Sequence, residues 1–131
     1  MKSITLLCAT LLAAVAAASP AHAAVCDPFA KYHAFYAAEV QASVKELQRV
    51  EAMKPKPHQD AALCLALRKA LRDTPYFVAS PDRSCFQTDQ QMADFVARAR
   101  DYGTNAATLV GSYCSDADMK RPLPPLFDGK F

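Results

Sequence analysis

The chain has 131 residues, 15 Lys+Arg against 13 Asp+Glu for a formal net charge of +2, 52% hydrophobic residues and only three glycines. That length suits one domain, and the near-balance of charge argues against a nucleic-acid-binding surface. So few glycines exclude a glycine-rich phosphate loop, and no GxSxG or HExxH motif is present.

The chain opens with Lys2, an almost unbroken apolar run from Ile4 to Ala18, Ser19-Pro20, and the small-residue triplet Ala21-His22-Ala23. This is the order of a secretory signal and its cleavage site, so residues 1–23 are expected to be removed. The run falls short of the roughly 20 apolar residues a membrane-spanning helix requires, and it stops at Pro20. A periplasmic or secreted protein with no membrane insertion after cleavage is expected. Loss of Lys2 leaves 14 Lys+Arg against 13 Asp+Glu, a net charge of +1.

Cys26, Cys64, Cys85 and Cys114 lie beyond the cleavage site, and an even count in a small exported domain implies two disulfides. No CxxC, no CxxCH and no close Cys/His pair is present, so neither redox, haem nor metal chemistry is expected and no cofactor is implied.

Asp27-Pro28 fits an N-cap and first helical proline, and Phe29, His33, Tyr36, Val40, Leu47 and Val50 share a face, which predicts a first helix over 28–53. Lys54-Pro55-Lys56-Pro57 ends it. Leu63, Cys64, Leu67, Ala70 and Leu71 predict a second helix over 58–72, stopped by Thr74-Pro75, with Tyr76 to Ala79 extended and a turn at Ser80-Pro81-Asp82.

Thr88-Asp89-Gln90-Gln91 matches a capping box, and one apolar face then runs from Met92 to Tyr113 without slipping phase at Gly103. One helix over 88–114 is predicted, with Gly103 at a close packing contact. Residues 115–131, carrying Pro122, Pro124 and Pro125, read as an extended tail.

The expected fold is therefore all-α: a three-helix up-down-up bundle over 24–114 with a proline-containing tail. That order places Cys26 near Cys85 and Cys64 near Cys114. A Cys85–Cys114 bridge would join opposite ends of one helix of about 40 Å, and Cys26–Cys114 would need the third helix reversed.

The residues supply no catalytic constellation, and a non-enzymatic protein is expected. His33 reads as a packed structural histidine and His58 as solvated; Glu39, Glu46, Asp94 and Asp101 fall on polar faces, with Asp94 and Arg98 at ion-pair spacing. Phe35 and Leu65 break the amphipathic pattern, and if Phe77 or the tail does not cover them they mark a surface for an unknown protein partner. A second reading is a carrier whose helices enclose an apolar ligand, lined by Phe29, Tyr36, Phe95 and Tyr102.

Cys64 and Asp73 at their interval, Thr88, Gln91, Met92, Phe95 and Val96, and the run Ala106-Ala107-Thr108-Leu109-Val110 before Cys114 resemble the Tai-type immunity proteins. These are small periplasmic four-cysteine helical proteins that neutralise amidase toxins. The resemblance covers residues 64–114. Ala66, Leu67 and Ala70 stand where that family has Gly, Tyr and Gly, and the Cys85–Cys114 interval is shorter. An inhibitory, immunity-type role is what the resemblance implies.

Overall fold

A computed structural model describes residues 20–79 and 81–125. Their regular structure is entirely helical: α1 (Pro20–Glu51), α2 (Ala61–Ala79), a 3-10 turn (Arg83–Cys85), α3 (Asp89–Tyr113) and a short α4 (Asp116–Lys120). The signal-peptide reading for residues 1–19 and the last tail residues, 126–131, lie outside the described residues.

Within α1, Cys26 leaves helical geometry at φ −103° and ψ 15°. The start predicted at Asp27-Pro28 thus appears as a kink, where a proline lacking its N–H fits the turn after the break. The helix reaches further back than expected, to Pro20.

Two corrections concern α2. It begins at Ala61 rather than 58, because Asp60 caps it: Leu63 N–H donates to Asp60 Oδ1 at 2.9 Å. It also passes through Pro75 instead of stopping there, so Tyr76 to Ala79 are helical, not extended. The lost backbone bond is offset by burial of Phe77, whose ring stacks on Tyr32 and on Tyr36, each at 4.6 Å between centroids.

The third helix is unbroken across Gly103. Thr88 Oγ1 accepts from Gln91 N–H at 3.1 Å, as predicted, while the Gln91 amide oxygen accepts from Gln87 N–H rather than Thr88 N–H.

The backbone of α2 packs closely against both long neighbours, whereas α1 and α3 meet through long side chains. Ser43 and Tyr102 hydroxyls are 2.7 Å apart, and the His33 ring meets Phe95 edge-on at 4.5 Å. Tyr36, Val40, Val50, Leu63, Leu67, Phe77, Phe95 and Tyr102 fill the centre with essentially no exposure. Each such large apolar side chain contributes about 1.5–3 kcal/mol.

At the upper end Cys64 and Cys114 form a disulfide with Cα atoms 5.0 Å apart, as the up-down-up order requires. At the lower end Cys26 and Cys85 are buried together as thiols, Cys85 Sγ lying 3.7 Å from the Cys26 carbonyl oxygen.

The tail departs from expectation in its first part. Ser115 and Asp118 cap one another reciprocally and fold α4, so the non-helical stretch begins only after Lys120. Arg68 Nη1 donates to the Asp118 and Arg121 carbonyls, and Arg72 Nη1 to that of Pro124. These two arginines hold the segment along α2.

Candidate functional site: a groove between α1 and α2

On α1, residues 35, 38, 39, 42, 45 and 46 recur at three- and four-residue steps, and on antiparallel α2 the same spacing collects 62, 65, 66 and 69. Together they line a groove of about 490 Å³. Ala38, Ala42, Ala62 and Ala66 form its floor because small side chains leave the two backbones uncovered. Phe35 and Leu65, 43% and 39% exposed, stand as its apolar walls.

The two residues singled out for breaking amphipathicity on separate helices are therefore brought to one site. Phe77 does not cover them, since it is wholly buried in the core.

Glu39 reaches from the groove to a buried partner that the sequence reading missed. Asp73 has no exposure; its Oδ1 accepts from Arg72 Nε at 3.0 Å, and Arg72 Nη2 lies 3.8 Å from Glu39 Oε1. Glu39 Oε2 and Asp73 Oδ2 are both buried with no nitrogen or hydroxyl donor among the described residues. A proton on Glu39 satisfies both, as a carboxylic acid donating to a carboxylate.

Burial, followed by the hydrogen bond to Asp73 and its charge, pushes Glu39 up to about 8, against the pull of Arg72 and Lys69. Burial next to Asp73 also raises the Tyr32 phenol. Placing Glu39 on a polar face is corrected accordingly. Only its partner on another helix, invisible in local periodicity, makes it a buried group.

Lys45 and Lys69 flank the groove, one from each helix. Glu46 is drawn away into a pair with Arg49 Nε at 2.7 Å, and Arg49 also binds Asp60 at 2.6 Å.

The remaining predicted residues lie elsewhere. Tyr36, Phe95 and Tyr102 come together in the core, where Tyr36 bonds the Thr74 hydroxyl at 2.8 Å and Tyr102 bonds Ser43. The Phe29 side chain is outside the described residues. His33 is buried, and desolvation pushes it down to about 4; His58 is exposed. Asp94 accepts from Gln90 Nε2 at 2.7 Å, and among the described residues it makes no ion pair with Arg98.

Among the described residues no group of three or more His, Cys, Asp or Glu side chains is arranged to hold a metal ion, and no helix is long and apolar enough to cross a membrane. No family model, curated protein or solved structure matches the chain.

Proposed function

We propose that this is a non-enzymatic, exported protein that binds another protein through the α1–α2 groove. The observation that carries the reading is the convergence of Phe35 and Leu65 on one apolar surface with an alanine floor. The core aromatics support a docking role over a carrier role, because Tyr36, Phe77, Phe95 and Tyr102 pack on one another and the two tyrosine hydroxyls bond internal partners.

Export to the periplasm or beyond agrees with the disulfide at Cys64–Cys114 and with the signal-like residues 1–23. In that oxidising compartment Cys26 and Cys85, already in contact, close as a second bridge by exchange with a disulfide oxidant, which takes up the two electrons and two protons, and pin the kink of α1 to the 3-10 turn. An inhibitor of immunity type is the specific form implied by the four-cysteine resemblance.

Capture of interacting proteins from an envelope extract tests the reading, with Phe35→Asp as the control. A partner retained by the wild type and lost with Phe35→Asp is expected. Recovery of the same proteins by both forms, or of none, overturns it.

A further inference from the structure

We infer that the groove accepts an acidic amphipathic helix of the partner protein, with its apolar ridge on the alanine floor and its carboxylates against Lys45 and Lys69. This rests on the docking role proposed above and adds the chemistry of what docks.

Ala38 and Ala42 on α1, and Ala62 and Ala66 on α2, are each four residues apart, so the seam between the helices is a channel bounded by i±4 rows. A row of side chains on a third helix fits such a channel, the ordinary way helices pack. From Phe35 to Glu46 the α1 side runs about 16 Å, three turns of an incoming helix. Tyr36 lies level with Thr74 and Arg49 with Asp60, which puts Phe35 toward the lower end and Leu65 toward the upper. An occupant touching both must follow the groove lengthwise.

Charge selects among such helices. The acids around the groove are already engaged: Glu39 with Asp73 and Arg72, Glu46 with Arg49. Among the described residues Lys45 and Lys69 are in no ion pair, one on each bank of the groove. The available field is therefore positive on both sides of an apolar floor, which favours acidic flanks and repels basic ones.

A phage-displayed library of helical peptides, with a randomised apolar ridge and flanks, would be selected against the immobilised protein lacking residues 1–23. Enriched peptides are expected to carry Asp or Glu on both flanks. They should lose affinity by about tenfold or more toward the Lys45→Glu/Lys69→Glu protein. Lysine-flanked or neutral winners, or equal binding to the doubly reversed protein, overturn the charge assignment. If such winners still depend on Phe35, the docking surface stands and only its partner class falls. No enrichment dependent on Phe35 sinks both. Circular dichroism of each variant shows that the fold is retained, and decanoate as competitor separates a peptide site from an amphiphile site, whose preference for decanoate would overturn the proposal.

Discussion

The Thr74 methyl group occupies the space that a side chain at Gly103 would need: a Cβ there would lie 3.0 Å from Thr74 Cγ2. Thr74 cannot rotate away freely, since its hydroxyl bonds both the Ala70 carbonyl at 2.9 Å and the Tyr36 hydroxyl. Gly103→Ala gains about 1 kcal/mol of helix propensity but overpacks the α2–α3 contact by about 1–3 kcal/mol. A net loss of stability is expected in urea denaturation. Thr74→Ser removes the methyl and keeps the hydroxyl, so the double variant should recover the loss. A Gly103→Ala protein more stable than wild type would contradict the contact.

Stability should respond to pH through two buried groups of opposite sign. Glu39, raised from 4.5 to about 8, holds a proton in the folded state that the unfolded chain has lost, so stability falls as pH rises through that interval. His33, lowered from 6.5 to about 4, does the reverse, and stability rises with pH between those values. The two oppose each other up to about pH 6.5, and beyond it, of these two, Glu39 alone still acts, up to about pH 8. Unfolding free energy measured across this range is expected to decline between those last two points, and Glu39→Gln should abolish the decline. An undiminished decline in Glu39→Gln would assign it to another group.

The Cys64–Cys114 bridge closes a loop with a sequence separation of 50. Chain-entropy arguments put its contribution at about 4 kcal/mol, so Cys64→Ala/Cys114→Ala should lower the thermal midpoint markedly. Non-reducing peptide mapping of exported material should also find Cys26 linked to Cys85. Free thiols at those two positions would count against the proposed second bridge.

Much of this arrangement is legible in the sequence where one helix face or one cap decides the outcome. The unbroken α3, its Thr88 cap, the close contact at Gly103 and the Cys64–Cys114 pairing all follow from local spacing and helix order. What escaped depends on contacts between helices. Pro75 looks like a stop until Phe77 is seen packed against Tyr32 and Tyr36, and Glu39 looks solvated until Asp73 faces it from α2. Phe35 and Leu65 could be flagged singly as misplaced apolar residues. That they line one groove required the antiparallel register of α1 and α2.

Replacement of Phe35 is expected to lower stability by no more than about 1–2 kcal/mol and to leave the fold intact, because the side chain, 43% exposed, stands outside the buried core. Thermal unfolding of Phe35→Asp checks this. A collapse of the fold would mean that Phe35 is structural, and the loss of a partner by that variant would then carry no weight.

The groove is tested most directly by photo-crosslinking in intact cells, with a benzophenone side chain placed in turn at Phe35, at Leu65 and at exposed Ala107 on α3. The account predicts the same protein adduct from positions 35 and 65 and none from 107. Equal crosslinking from all three positions, or adducts from 107 alone, would contradict it.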